Sequence, residues 1–175
     1  MGGDYRPYPG TNHHPHARLI KERLPMISIA KKVCLLGDFA VGKTSLVSRF
    51  VYNLFDDKYV STIGVKVSRK TVIIPRAGDI VELTMMLWNL AGNEEFDRVR
   101  ASYLRGAAGA VLVCDLTRPE TLDSLQVYAD DLLSINPNAR LALAANKRDL
   151  TDQQRLTQEQ EVEMHFRHLG QLLAA

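Results

Sequence analysis

The run Gly37, Asp38, Phe39, Ala40, Val41, Gly42, Lys43, Thr44, with Ser45 behind it, sets glycines, a lysine and a hydroxyl at the GxxxxGK[ST] spacing. Such a loop curls until successive backbone N–H groups converge on one anion, and a helix starting at its end adds partial positive charge. Lys43 brings a full charge to the same point, and the Thr44 hydroxyl stands where it can coordinate Mg²⁺ beside a phosphate. Much later come Asn146, Lys147, Arg148 and Asp149, an amide, a cationic stem and a carboxylate suited to reading a guanine. The two segments together point to a guanine nucleotide as ligand.

These groups need a scaffold. An apolar run at 33–36 precedes the loop and an amphipathic stretch with Leu46, Val47, Phe50 and Val51 follows it, the strand, loop and helix order the motif requires. From Lys31 onward, strand-like runs alternate with helical periods as βαββαβαβα, which predicts an α/β sheet covered on both faces. Segments 65–74 and 80–88 flank a turn signal at 75–79 and predict an antiparallel hairpin. Runs 109–114 and 141–145 are almost wholly apolar, as parallel strands between two helix layers are. Between them Leu122, Leu125, Ala129, Leu132 and Leu133 predict one helix, closed by Asn136, Pro137 and Asn138. Thr157 with Gln160 forms a capping-box pattern opening a last helix with Val162, Phe166 and Leu169. Met85, Met86 and Trp88 read as sheet packing.

With 175 residues, 46% of them hydrophobic and 24% charged, the chain can bury one core and has the size of one domain. With a net charge of only +2, no strongly basic surface argues for nucleic acid as the main partner, and no apolar run is long enough to span a bilayer. Cys34 and Cys114 lie inside apolar runs and read as small hydrophobes in a reducing, cytoplasmic setting, not as disulfide or metal ligands. Residues 1–25, rich in Gly, Pro, His, Tyr and Arg and broken by Pro7, Pro9 and Pro15, are expected to form a flexible extension before a domain at 26–175. His13, His14 and His16 have no carboxylate or cysteine partners there and read as a solvated tail. Arg6 stands where a myristoylation signal needs Ser or Thr.

Once Thr62, Ile63 and Gly64 and the run Trp88, Asn89, Leu90, Ala91, Gly92, Asn93, Glu94, Glu95, Phe96 are added, the chain resembles a Ras-superfamily small GTPase of the Rab branch. It is similar in particular to the Rab-like GTPases found in bacteria, and the resemblance covers roughly 31–170. It implies a P-loop NTPase small G domain, an α/β fold with a mostly parallel sheet and one antiparallel edge hairpin. It also implies GTP/GDP and Mg²⁺ as ligands, hydrolysis of GTP to GDP, and protein effectors or regulators at two switch regions. By position, Thr62 would meet Mg²⁺ with its hydroxyl and the γ-phosphate with its backbone, and the Gly92 N–H would report the same phosphate. Loss of that phosphate would release both loops. Asp149 would accept from guanine N1–H and the 2-amino group, Asn146 would hold base and loop, and the Lys147 stem would cover the base face. Phe55 stands where the family often places an aromatic against the base edge.

Three departures from the family pattern bear on chemistry. Asn89 replaces the aspartate that orients Mg²⁺ through water, which removes a negative charge from the cation site. Asn93 replaces the glutamine that positions the attacking water; it is shorter by one methylene, ~1.5 Å, a misplacement worth about a hundredfold in rate. Phe39 is bulky where many members carry Gly or Ser, and would crowd the space of an arginine finger, a group worth about 10³ to 10⁵ in rate. These residues make slow hydrolysis the expectation.

After Gly170 only Gln171, Leu172, Leu173, Ala174 and Ala175 remain, where the family continues through a sixth strand, a guanine-backing loop and a final helix. The expectation is a domain lacking its final strand and helix, with an apolar sheet face uncovered and no prenylation cysteine, hence no evident lipid anchor. A second reading is a guanine-nucleotide-binding module without meaningful hydrolysis, which Asn89 and Asn93 support. An ATP-using P-loop phosphotransferase is disfavoured, because 146–149 would have no role in it.

Overall fold

The computed structural model describes residues 26–54, 64–76, 79–92 and 94–155. The extension at 1–25, residues 77–78 of the hairpin turn, the helix expected from Thr157 and the segment from Gly170 onward lie outside the described residues. In chain order the elements are β1 (Met26–Leu36), α1 (Lys43–Tyr52), β2 (Val65–Arg76), β3 (Asp79–Leu90) and α2 (Glu94–Leu104). They continue with β4 (Ala107–Asp115), α3 (Glu120–Asp123), α4 (Leu125–Ile135), β5 (Arg140–Asn146) and a 3-10 turn at Thr151–Gln153. The strands form one sheet in the order β2-β3-β1-β4-β5. β1 pairs in parallel with β3 and β4, and β4 with β5. β2 alone is antiparallel, closing the edge hairpin on β3 from Val65 opposite Leu90 to Arg76 opposite Asp79. The fold is thus the expected α/β sheet with one antiparallel edge pair.

Alternation along β1 divides the core in two. Cys34 and Leu36 face one side, packed with Leu104, Leu112, Leu125 and Leu132 beneath α2 and α4. Leu35 faces the other, with Leu87 and the α1 residue Val47, and Val33, Met85 and Val111 pack around them. Each fully buried leucine contributes about 1.5 to 3 kcal/mol, so both layers hold the strand ends in register. Trp88 packs against the first cluster with the Lys32 ammonium 3.9 Å from its ring centre. Cys34 and Cys114 are fully buried thiols. Burial pushes the Cys34 thiol up to about 11, although Lys32 pulls slightly the other way. Ile27, Ile29 and Ile74 lie on the α1 side beyond the helix and are exposed. Among the described residues no helix is long and apolar enough to cross a membrane.

Two details differ from the sequence expectation. β1 starts at Met26, well before the apolar run, because its exposed beginning is paired to β3 from Met26 opposite Ile80 onward, and the Ser28 hydroxyl donates to Glu82 at 2.8 Å. The helix expected as one unit is split at Ser124, whose backbone stays helical while its Oγ donates to the Glu120 carbonyl at 3.0 Å. The Ser124 N–H donates to the same carbonyl at 3.2 Å, so one oxygen serves both the backbone and the hydroxyl at the end of α3. The end at Asn136 is as expected: its N–H donates to the Leu132 carbonyl, and its Nδ2 reaches the Ala107 carbonyl at 2.9 Å.

Candidate nucleotide-binding site

Chemistry-bearing residues gather at the carboxyl ends of the parallel strands, where crossovers leave β1 in opposite directions and open a crevice. The loop 37–42 leaves β1 there, and Lys43 opens α1 with the first turn carrying Thr44 and the half-buried Ser45. Gly42 has φ +98, and a Cβ at that position would collide with Asn146 Nδ2, so both its conformation and the close approach require glycine. Val41 is fully buried and anchors the loop, whereas Phe39 is exposed at its tip.

Lys43 is buried, and its ammonium folds back onto the loop, donating to the Gly37 carbonyl at 2.6 Å and to the Asp38 carbonyl at 2.7 Å. Burial lowers its pKa to about 8; Asp38 pulls it back upward and Arg118 adds to the lowering. Asp38 would be an awkward neighbour for a phosphate, but its carboxylate is engaged by the Tyr128 hydroxyl of α4, which donates at 3.1 Å. Gly92, just past β3, packs so closely on this loop that a Cβ would collide with the Gly37 carbonyl and crowd Lys43 Nζ. Its backbone therefore lies directly against the phosphate loop.

Asn89 is almost wholly buried at the end of β3, and its Nδ2 donates to Thr44 Oγ1 at 2.7 Å. Its Oδ1 is buried with no hydrogen-bond partner among the described residues. An unpaired buried carbonyl oxygen beside the Thr44 hydroxyl is an opening for a water or a cation shell. A hydroxyl oxygen has two lone pairs, so this Asn89 and Thr44 pair fits Mg²⁺, with neutral oxygens only.

The second motif leaves β5 alongside. Asn146 Nδ2 donates to the Val41 carbonyl at 2.8 Å, joining two loops that lie 105 residues apart. Lys147 adopts φ +65, and its Nζ is held 2.6 Å from Asp115 Oδ2, fixing the far end of its stem. The turn closes with the Leu150 N–H on the Lys147 carbonyl and leaves Asp149 exposed.

Asp115, at the end of β4, is a hub that sequence reading passed over. It is fully buried; Oδ2 meets Lys147 and Arg118 Nε, and Oδ1 accepts from the Thr117 N–H and hydroxyl. Burial alone would raise its pKa, but the bonds from Lys147, Thr117 and Arg118 outweigh that and hold it at about 2. The available signal was its position: an acid closing a buried parallel strand, followed by Thr117 and Arg118.

The structure thus brings Gly37 to Ser45, Asn89, Gly92, Asn146, Lys147 and Asp149 to one end of the sheet. Phe55, Thr62 and Asn93 lie outside the described residues.

Comparison with known proteins agrees with this geometry. The Ras family pattern matches residues 32–171. The chain belongs to the Ras family. Ras-related protein Rab-31 of Rattus norvegicus is 40% identical over 122 residues, 69% of this chain and 60% of that protein. Ras-related protein Rab-22A of Mus musculus is 42% identical over 123 residues, 69% of this chain and 61% of its own length. GTP-binding protein ypt4 of Schizosaccharomyces pombe is 32% identical over 133 residues, 75% of this chain and 57% of that protein. The alignments therefore span about three fifths of these relatives. This Rab-like small GTPase has the α/β small G domain of its family.

In a small GTPase the buried lysine should leave a pH signature. If a nucleotide phosphate sits beside Lys43, it would favour the charged form and raise its pKa, and the binding free energy the lysine supplies would be complete below about 8 in the free protein. Above that pH binding must recruit a proton, and nucleotide affinity should fall by up to about tenfold per pH unit. Stability of the nucleotide-free protein should run the opposite way: the folded pKa of about 8 lies below the ordinary 10.5, so the lysine's contribution rises with pH across that window. Dissociation constants at pH 7.5 and 9 give the check, and an unchanged affinity contradicts it.

Proposed function

We propose that the chain is a guanine-nucleotide-binding switch that takes GTP and GDP with Mg²⁺ and hydrolyses GTP slowly. The observation that carries this reading is the 2.8 Å bond from Asn146 to the Val41 carbonyl, which ties the base-reading loop to the phosphate loop. A site with those two loops joined presents a carboxylate, Asp149, to the guanine donors while Lys43 offsets phosphate charge. The G domain occupies 26–175, with 1–25 as an extension, and the protein works in the cytoplasm through effectors or regulators that read the segments around Thr62 and Gly92.

In this mechanism Thr44 and Thr62, with Asn89 beside them, would hold Mg²⁺, which would supply neutralisation of phosphate charge during transfer. Lys43 stabilises negative charge on the transferring group. Asn93 orients the attacking water from a shorter reach than a glutamine has. Gly92, whose backbone lies against the phosphate loop, senses through its N–H whether the γ-phosphate is present, and Thr62 reads the same group. A second reading, binding without meaningful hydrolysis, is favoured by the buried Asn89 amide, which donates to Thr44 where a carboxylate would accept.

Single-turnover hydrolysis across a magnesium titration separates the two. Asn93→Gln should speed hydrolysis by about a hundredfold by restoring amide reach. Asn89→Asp should lower the magnesium needed for half-maximal rate more than it changes the saturated rate. An unaltered protein as fast as its Asn93→Gln form at saturating Mg²⁺ removes slow hydrolysis from the proposal. Absence of turnover in every variant favours the binding module.

A further inference from the structure

Arg118 is not part of either nucleotide motif, yet it touches the phosphate loop. Its Nη2 donates to the Phe39 carbonyl at 2.8 Å while its Nε meets Asp115 Oδ2 at 3.0 Å. The guanidinium is therefore clamped between a fully buried carboxylate and the tip of the loop. Asp115 cannot easily yield, since Lys147 and Thr117 hold it from other directions. The residue after Phe39 is Ala40, with φ +62, a left-handed conformation that non-glycine residues seldom adopt without outside support.

These two facts concern the same peptide. In a trans peptide the carbonyl and the following N–H point to opposite sides, so fixing the Phe39 oxygen on Arg118 sends the Ala40 N–H away from Arg118. A phosphate loop works only when such N–H groups face the anion. Left alone, alanine at this position favours rotation of the 39–40 peptide and a negative φ, which would turn that donor out of the cradle. We propose that Arg118 is a positioning residue for phosphate binding, holding the Phe39 to Ala40 peptide so that the Ala40 N–H faces the phosphates. The inference rests on the guanine-nucleotide reading of the site. It gives the left-handed alanine a counterpart: the arginine supplies the constraint that a glycine would make unnecessary.

The test is a double-mutant cycle on the release rate of a fluorescent GDP from the full chain, using Arg118→Ala, Ala40→Gly and the pair, with Arg118→Lys alongside. Arg118→Ala should speed release at least tenfold in the unaltered background and by threefold or less in the Ala40→Gly background, because glycine accepts positive φ without a tether. Arg118→Lys keeps the charge but cannot span both oxygens as the planar fork does, so it should resemble Arg118→Ala. Equal acceleration by Arg118→Ala in both backgrounds would mean that Arg118 acts on the nucleotide directly and would overturn the proposal. Parent-like release from Arg118→Ala, or from Arg118→Lys, overturns it as well. Failure of the unaltered chain to bind GDP at all is a different outcome, and it sinks the guanine-nucleotide reading and this inference together.

Discussion

Changing Asp149 to Asn should lower GTP affinity by about 10² to 10⁴ while raising affinity for xanthosine triphosphate. The size follows from two hydrogen bonds to a charged acceptor, each contributing about 1.5 to 3 kcal/mol. An asparagine can present its amide N–H₂ to the 2-oxo group of xanthine, where the carboxylate had accepted from the guanine amine. The turn carrying Asp149 is positioned by groups this substitution leaves in place: Asn146 on the Val41 carbonyl, Lys147 on Asp115 and the Leu150 N–H on the Lys147 carbonyl. The effect should therefore be one of selectivity with the melting temperature nearly unchanged. Competition between the two triphosphates gives the measurement, and a parallel loss for both would show that Asp149 does not read the base.

Lys43→Ala should reduce affinity for guanine nucleotides by about 10², the upper value of one charge-assisted bond to a phosphate oxygen from the donor that the Gly37 and Asp38 carbonyls leave over. The ammonium is already poised: it is buried, held by the Gly37 and Asp38 carbonyls, and crowded by Gly92. An incoming phosphate meets a cation whose desolvation has been met in folding, which is why the loss should exceed that of an exposed lysine. Equilibrium titration with GDP checks this, and a loss of less than tenfold would contradict it.

The phosphate loop was readable because its pattern is contiguous and its flanks have the right periodicities. The edge hairpin was readable for a similar reason, a turn signal between two alternating runs. What joins the loops was not. Asn146 and Val41 meet only because β1, β4 and β5 are neighbours, and no local pattern states that adjacency. Asp115, Arg118 and Tyr128 are illegible for the same reason: Arg118 and Tyr128 touch the 37–42 loop across the sheet end and Asp115 holds Arg118, from segments that look locally like a turn, a helix face and a strand end. Asn89 stands out in the sequence as a departure from the family, yet the sense of its bond to Thr44, donating from Nδ2 and leaving Oδ1 unpaired among the described residues, is set by the fold. The break at Ser124 was hidden because its backbone stays helical and only the hydrogen-bond ladder is interrupted.

The claim on which everything else depends is that Asn146, Lys147 and Asp149 make this phosphate loop specific for guanine. Displacement of bound fluorescent GDP by GTP and by ATP, on the unaltered chain with Mg²⁺ at pH 7.5, tests it most directly. Adenine offers Asp149 neither donor and leaves the carboxylate unpaired, so ATP should be weaker than GTP by at least about a hundredfold. Equal displacement by the two nucleotides would contradict the account.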